Sequence, residues 1–492
     1  MGYVAGVDRG QQVLFPETLD EYVRPENPVR FIDAFVAELD LSELGFERAV
    51  AAQEGRPGYD PRDLLRLYIY GYLNRTRSSR RLEAETHRNV EVMWLLRRLR
   101  PDHKTIAEFR RRNVDALKGV AREFTLLCKR LDLFEASLVF VDGAKFRAVN
   151  SRDRNFTGPR LEKLLALIDE RIEQYLGELE EQDRQEEGQA GSSDEGLRKK
   201  LEALRERKAR YEGYREELAQ SEQRQISLTD PESRRMKVRG DFDVCYNAQI
   251  AVDGKHHLIA AHEVTNQVND VEQLAPMALA AKQELDVAVL EVAADRGYHN
   301  GAQVVECEAA GITTYVPAPR TSKNEKRGRF TKEAFSYSAQ RDAYRCPADQ
   351  WLGFSTQTEV DGRVLRYYAN WPACAQCPLR EECTAGKQGR RIMRTPEEAA
   401  VDRMRQRLGQ RPELMLQRKS TVEHPFGTMK RGWDGGYFLL KGLRKVRGEF
   451  SLSVLAYNLR RALSVLGVEG LLKGLREARA LMRATQLAGF CG

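Results

Sequence analysis

Two short apolar runs that each lead to an aspartate constrain the fold of this 492-residue chain more than any other feature. Residues 138–141 read LVFV and precede Asp142, and residues 287–293 read VAVLEVA and lead to Asp295. Short apolar runs that are rich in β-branched residues are typical of buried strands. Asp142-Gly143 is expected to end the first strand, so that both aspartates lie just past the end of a strand.

A hairpin and two further segments extend this sheet. Asp253-Gly254 is a turn signal between the apolar stretches 244–252 and 257–264. Residues 270–285 follow a helical pattern, and 312–316 predict one more strand. Strands that alternate with helices in this way predict an α/β fold around one mixed sheet.

The first 130 residues predict an all-α domain. Apolar residues recur at helical spacing from residue 28 to residue 41. Asp60 is a helix N-cap, with Pro61 in the first turn of the helix that it opens. Domain 1–130 is therefore expected to consist of small packed helices with arginines on their outward faces.

Two segments interrupt the predicted sheet, which itself comprises residues 131–157 and 229–319. Residues 158–228 carry apolar positions at alternating spacings of four and three, which indicates an antiparallel coiled-coil hairpin that serves as a spacer or a dimer contact. Residues 320–400 form a cysteine-bearing insertion. Residues 401–492 return to the core with a glutamate-bearing helix and C-terminal helices.

Charge is distributed unevenly. The chain has 80 Lys and Arg against 73 Asp and Glu, yet residues 61–120 alone hold 15 basic residues against seven acidic ones. Arg75, Arg77, Arg80 and Arg81 belong to this group. Residues 418–447 form a second basic stretch. Solvated helix faces and contact with DNA phosphates both explain these stretches, and the pattern does not decide between them.

Four of the eight cysteines cluster in the second insertion: Cys346, Cys374, Cys377 and Cys383. The spacing of Cys374 and Cys377 is that of a zinc knuckle, and four thiolates complete a tetrahedral zinc site. Ordinary buried thiols are the alternative, and redox activity is a third, less favoured one.

Three carboxylates are candidates for chemistry: Asp142, Asp295 and Glu423. Glu423 lies in a stretch with helical character, with Lys419 one turn before it and Lys430 two turns after it on the same predicted face. Acids from two strands and a helix suit Mg²⁺, which takes few protein carboxylates and completes its shell with water and phosphate. Each acid alone is also consistent with a turn, a cap or a solvated helix face.

Several strings together carry a family resemblance. FVDGAKFRAVNSRDRNFT, YNAQIAVD, ADRGY and RKSTVEHPFGTMKR resemble the DDE transposases of bacterial insertion sequences, in the branch called the "IS eleven-eighty-two" type. The N-terminal string GRPGYDPRDLLRLYIYGYLNRTRSSRRLE is similar to the helical N-terminal domain of that branch. CPAD, CAQCPL and CT resemble its cysteine-bearing insert.

The resemblance implies a ribonuclease H-like catalytic core in which the same three acids bind two Mg²⁺ or Mn²⁺ ions. The family's Tyr-x2-Arg-x3-Glu-x6-Lys signature has its lysine at Lys430, but Leu416 and Lys419 stand at the tyrosine and arginine positions, with Arg418 beside them. These cations are expected to contact the terminal phosphate. Trp433 is a candidate for stacking on an unpaired base, with core packing as the alternative.

The expected function is cutting at the ends of an insertion sequence and joining of the 3′-hydroxyl to target DNA. A nuclease without strand transfer and a catalytically inactive DNA-binding descendant are the alternatives. The expected partners are terminal inverted repeats, target DNA and a second copy of the chain. The first 13 residues lack an apolar signal segment and no run is long enough to span a bilayer, so a cytoplasmic, nucleoid-associated protein is expected.

Overall fold

The computed structural model describes residues 18–51, 57–185, 194–220, 225–238, 240–319, 324, 327–360, 362–433 and 435–489. The first 13 residues, on which the prediction of no secretion signal rests, lie outside this described part. Residues 186–193, inside the predicted hairpin, and most of residues 320–329, at the start of the cysteine-bearing insertion, also lie outside it.

Fifteen α-helices occur within the described residues. They are α1 (Pro28–Glu38), α2 (Pro61–Leu73), α3 (Ser79–Arg88), α4 (Val90–Leu95), α5 (His103–Arg112), α6 (Val114–Arg130), α7 (Gly158–Gln185), α8 (Asp194–Gln220), α9 (Leu274–Leu285), α10 (Gly301–Ala309), α11 (Trp371–Ala375), α12 (Arg380–Cys383), α13 (Glu398–Gln410), α14 (Leu414–Gly427) and α15 (Leu443–Gly489). A π-helical segment, Thr428–Gly432, follows α14 directly. Helix α15 is interrupted at Gly467, whose φ of 67° is not helical.

Thirteen strands occur in the same described part of the chain. They are β1 (Leu138–Arg147), β2 (Asn155–Thr157), β3 (Gln225–Ser227), β4 (Arg234–Val238), β5 (Asp241–Asp253), β6 (Ile259–Thr265), β7 (Leu290–Ala294), β8 (Ile312–Tyr315), β9 (Ser336–Ser338), β10 (Ala343–Arg345), β11 (Trp351–Val360), β12 (Arg363–Ala369) and β13 (Arg391–Arg394).

The central sheet is mixed, as predicted. Strand β1 lies in its middle, antiparallel to β5 on one side and parallel to β7 on the other, and β8 continues the parallel half. The outer edge of β5 pairs with β6 along one part and with β4 along another. The predicted hairpin around Asp253-Gly254 is therefore confirmed as β5 and β6.

The prediction that Asp142 ends the first strand is wrong. Strand β1 continues to Arg147, because β5 pairs with it along its whole length from Val139 to Arg147. The parallel pairing with β7, in contrast, stops at Val141 opposite Ala294. Asp142 thus lies inside a strand but just beyond the end of the β1–β7 ladder.

The N-terminal helices pack on the rest of the chain instead of forming an isolated unit. Asp60 caps α2 as predicted, because its side chain accepts a hydrogen bond from the Arg62 amide at 2.8 Å. Helix α15 packs against α1, α2 and α6 and also against β6. One continuous hydrophobic core consequently includes the N-terminal helices, the central sheet and α15.

Two further substructures are formed by residues outside the central sheet and the N-terminal helices. Helices α7 and α8 pack against each other, and the short pair β2–β3 joins their bases. Strands β9 to β13 form a separate antiparallel sheet in the order β13-β12-β11-β10-β9. This second sheet has its own small core, made of Phe335, Tyr344, Leu352, Tyr368 and Ile392.

Within the described residues, none of the helices combines the length and the apolar character that crossing a membrane requires.

Candidate active site

Asp142 and Asp295 meet at the edge of the central sheet where the β1–β7 ladder ends. Val141 pairs with Ala294 in parallel register, and the next residue on each strand is one of the two aspartates. Asp295 caps a short 3₁₀ turn, because its carboxylate accepts a hydrogen bond from the Gly297 amide at 2.8 Å. Ligands of open α/β sheets bind at such carboxyl ends of strands.

Arg418 of α14 lies between the two aspartates. Its Nη2 is 2.5 Å from Asp142 Oδ1 and 3.8 Å from Asp295 Oδ2. The arginine side chain is 12% exposed, so water screens these ion pairs only in part. A single cation therefore contacts both acids.

Burial changes the acidity of this pair. Desolvation raises the pKa of Asp142 to about 6; Arg418 opposes this shift, and the charges of Asp295 and Asp270 add to it. A carboxyl group in such surroundings is stabilised in its charged form by a cation that approaches it. The site is thus electrostatically prepared for positive charge.

A third acid, Asp270, was not predicted from the sequence. It lies on the loop between β6 and α9 and accepts hydrogen bonds from Asn247 Nδ2 and Gln249 Nε2, both at 2.7 Å. Lys145 of β1 forms an ion pair with the same Oδ1 at 3.2 Å. Loops without a motif give no sequence signal, although the YNAQ string of β5 does contain its two amide partners.

Glu423 and the flanking lysines lie on α14 and on the π-helical segment that follows it. Glu423 is exposed on α14, and Lys419 is exposed one turn before it. Lys430 was predicted two turns after Glu423 on one α-helix, but α14 ends at Gly427 and Lys430 lies in the π-helical segment. Lys430 Nζ instead donates a hydrogen bond to the Lys145 carbonyl at 2.7 Å.

The donor chemistry of the aspartate pair fits a hard divalent cation, since both side chains supply carboxylate oxygens. Glu423 is not gathered with them: within the described ranges, no group of three or more His, Cys, Asp or Glu side chains is arranged to hold a metal ion. The fit therefore rests on Asp142 and Asp295, with Arg418 in contact with both.

The arginines predicted to contact phosphate divide into two kinds. Arg75, Arg80 and Arg81 are exposed. Arg77 is 11% exposed and engaged within the protein, because it donates a hydrogen bond to the Tyr437 carbonyl at 2.9 Å and lies over the Tyr437 ring. Arg77 thus ties the loop after α2 to the segment after α14.

Trp433 is only 7% exposed and belongs to the main core. The ring is therefore packed in the core, which was the alternative to base stacking. Stacking on a base would require the side chain to leave this core.

The four clustered cysteines come together at the second sheet. Cys346, Cys374, Cys377 and Cys383 line one small cavity between this sheet and α11 and α12. All four are free thiols, and Cys346 and Cys383 also pack against the core of the second sheet. Their surroundings are mainly apolar, with Arg390 close to Cys383.

Two family profiles match this chain. One, described as a transposase domain (DUF772), matches residues 17–112, which hold α1 to α5. The other, described as a transposase DDE domain, matches residues 345–463, which include Glu423 and the four clustered cysteines. Asp142 and Asp295 lie between the two matched ranges.

No curated protein matches the chain. Among solved structures, a cryo-EM structure of the piggyBac transposase synaptic complex with hairpin DNA is 8% identical and has a TM-score of 0.33, over 93% of this chain and 80% of that chain. This TM-score is too low to support an argument. The two transposase profiles, which match residues 17–112 and 345–463, support a DDE-type DNA transposase, an enzyme that cuts and joins DNA.

Proposed function

We propose that this transposase acts on the ends of an insertion sequence and that its central sheet is a ribonuclease H-like core. In this proposal Asp142, Asp295 and Glu423 are the metal-binding acids. The observation that carries it is the contact of one guanidinium, that of Arg418, with Asp142 and Asp295 just beyond the end of the β1–β7 ladder. Positive charge stabilises two neighbouring carboxylates. In phosphodiester cleavage, divalent cations supply that charge and also contact the substrate.

Two Mg²⁺ or Mn²⁺ ions, when bound, would activate the attacking oxygen and stabilise the leaving oxygen of the phosphodiester. Asp142 and Asp295 would supply ligands from the sheet, and Glu423 would supply one from α14 after a local adjustment of that helix. Arg418, which balances the acids, is then placed to contact a phosphate of the DNA.

The reaction has two steps. A water oxygen attacks phosphorus at the element end, the bond from phosphorus to the 3′-oxygen breaks, and the 3′-oxygen takes a proton to become a hydroxyl. That hydroxyl then attacks a target phosphodiester, and the bond to the 3′-oxygen of the target strand breaks as the new bond forms. Lys419 and Lys430 are proposed to hold the phosphates in place, and no covalent protein–DNA intermediate forms.

The remaining parts of the chain receive supporting roles. Residues 1–130 bind the inverted repeats, with Arg75, Arg80 and Arg81 exposed for this purpose. Residues 131–157, 229–319 and 401–492 form the catalytic core, and 158–228 and 320–400 are insertions. A homodimer brings two element ends together, and the protein acts on DNA in the nucleoid.

We also propose that the four clustered cysteines bind a structural zinc ion. Within the described residues the four thiols are not already arranged as a metal site, so zinc binding would require them to move closer together. Support comes from their common cavity and from the Cys374–Cys377 spacing, since thiolates are the preferred ligands of structural zinc. The site would join α11 and α12 to the second sheet.

The active-site proposal predicts loss of catalysis on neutralising either aspartate. Asp142→Asn and Asp295→Asn are each expected to lower cleavage of an element-end duplex by about 1,000-fold or more, because metal affinity and transition-state charge stabilisation are lost together. Binding of the same duplex without metal should persist. Asp286→Asn is the matched control, since Asp286 is an exposed residue at the end of α9.

Near-normal cleavage by Asp295→Asn would contradict the site assignment. The wild-type protein also separates the alternatives, when a pre-cut duplex with a free 3′-hydroxyl is offered together with a plasmid. Joining to the plasmid supports transposition, cutting without joining supports a nuclease, and neither activity supports an inactive descendant.

A further inference from the structure

A basic cavity is lined by His424, the residue after Glu423, and by neither member of the aspartate pair. Arg75 from the loop after α2 and Arg460 and Arg461 from α15 line it, together with the hydroxyls of Thr428 and Ser464. Its volume is about 270 Å³. We call this cavity the Arg75 pocket.

The charge of the Arg75 pocket is strongly one-sided. Among the described residues that line it, none is acidic. Arg461 uses its Nε to donate a hydrogen bond to the His256 carbonyl at 3.0 Å, which holds its side chain in place. Three guanidinium groups around one cavity repel one another, so the pocket favours an anion.

Arg75 is held in the turn that ends α2. Its φ is +65°, in the left-handed region that a residue just past a helix C-terminus commonly adopts. The Arg75 amide donates to the Tyr72 carbonyl at 3.4 Å and the Thr76 amide donates to the Gly71 carbonyl at 2.6 Å, so the turn fixes where the Arg75 side chain leaves the backbone.

The location of the pocket indicates which anion it takes. His424, the residue after Glu423, also lines it, and Trp433 forms part of its wall. His424 is held by a hydrogen-bonded chain, because its Nδ1 is 2.8 Å from the Tyr457 hydroxyl, which donates to the His257 carbonyl at 2.9 Å. An anion site lined by the residue after the proposed third metal ligand is suited to the DNA that enters the active site.

We propose that the Arg75 pocket binds a backbone phosphate of the DNA close to the cleaved bond. Arginine forks on two sides of the pocket match a phosphodiester, whose two free oxygens accept hydrogen bonds from different directions. The pocket also joins the N-terminal loop to α15, so that one phosphate contacts both parts of the protein. The inference rests on the proposed role of Glu423, which places the pocket beside the reaction.

The test compares Arg75→Gln and Arg460→Gln with Lys473→Gln, an exposed lysine on the same helix α15 but outside the pocket. Binding is measured in the presence of a chelator, to a duplex that carries the sequence bordering the gene. Each pocket variant is expected to lower affinity about tenfold and to reduce the slope of log K against log salt concentration by about one, whereas Lys473→Gln should change neither.

Duplexes with one neutral methylphosphonate linkage then locate the phosphate. In the wild-type protein one linkage near the cleaved bond should weaken binding when it is neutral, and in Arg75→Gln the same linkage should have no further effect. Additive losses at every linkage, or equal losses in the Lys473→Gln control, would overturn the proposal. Saturable binding of inorganic phosphate that needs Arg75, with unchanged DNA binding, would overturn it in favour of a free-phosphate site.

These outcomes are independent of the metal site, because binding is measured without metal. If Asp142→Asn retains cleavage, the active-site assignment fails while the salt dependence of the pocket variants still reports on the phosphate. Thermal unfolding of Arg75→Gln, Arg460→Gln and Lys473→Gln checks that these substitutions leave the fold intact.

Discussion

At Gly143 the chain lacks a side chain because other side chains already fill the space. A Cβ atom there would lie 2.3 Å from Gln249 Nε2 and 2.8 Å from Asp270 Oδ1. Both atoms belong to the hydrogen-bonded network beside Asp142. Any larger residue after the first acid would therefore displace side chains of β5 and of the loop before α9.

Gly143→Ala is expected to lower the free energy of unfolding by about 1–3 kcal/mol, as overpacking does, and to reduce cleavage by displacing Asp270 and its partners. Urea unfolding and the cleavage assay measure the two effects. Gly353→Ala is the matched control in a strand, because no atom lies within 4 Å of a Cβ built there. If both variants behave alike, the steric argument is wrong.

Individual acids were predictable from the sequence to different degrees. Asp142 and Asp295 follow apolar runs, and parallel strands bring such positions to one edge of a sheet. Asp270 could not be predicted in this way, because its place depends on amide partners that β5 supplies from the other side of β1. Arg418 was named beside the expected cation Lys419, but only the rotation of α14 decides which of the two faces the acids.

At the scale of elements, β6 and α15 are joined through a buried histidine. His262 Nε2 is 2.8 Å from Ser451 Oγ, and that hydroxyl donates to the Arg447 carbonyl. Burial lowers the pKa of His262 to about 4, and the charge of Lys118 adds to the shift while Glu263 opposes it. The folded protein thus keeps this histidine neutral.

A pH dependence of stability follows. Because the folded pKa is below the unfolded value of about 6.5, the stabilisation is complete above that pH and is lost as the pH falls towards 4. Between pH 7.5 and pH 5 the wild-type protein should lose about 2 kcal/mol more unfolding free energy than His262→Gln. Urea unfolding at both pH values measures this, with the exposed His87→Gln as control; equal losses in wild type and His262→Gln would refute it.

The second sheet shows why some elements could not be predicted. Eight of the ten residues of β11 are exposed, so the strand has no apolar alternation to reveal it. Strands β9 and β10 have three residues each, which is too short for a periodic signal. The central strands were predictable for the opposite reason, since both of their faces are covered and their apolar runs are continuous.

At the scale of the whole molecule, the two cores predict two unfolding transitions. The second sheet has a core of only five buried side chains, separate from the main core, and is expected to unfold at a lower denaturant concentration. Trp351 and Trp371 report on this sheet, whereas Trp94 and Trp433 report on the main body. Fluorescence of two variants, each with one of these pairs replaced by Phe, separates the transitions.

The same unfolding experiment tests the proposed zinc site. Purified protein should contain about one zinc ion per chain, and a chelator should lower the midpoint of the second-sheet transition without moving the other. Coincident transitions would show that the two cores unfold together, and protein that folds without zinc would refute the metal proposal for the cysteines.

The packing of α15 on α6 has a practical consequence for work on the N-terminal helices. Contact is so close that Gly448 faces Val114 and Gly474 faces Leu131 with no room for a Cβ. A fragment that ends at Arg130 would expose to water the apolar surface of α6 that α15 covers. The N-terminal helices are therefore better isolated with α15 supplied, by fusion or co-expression, than as the predicted domain 1–130.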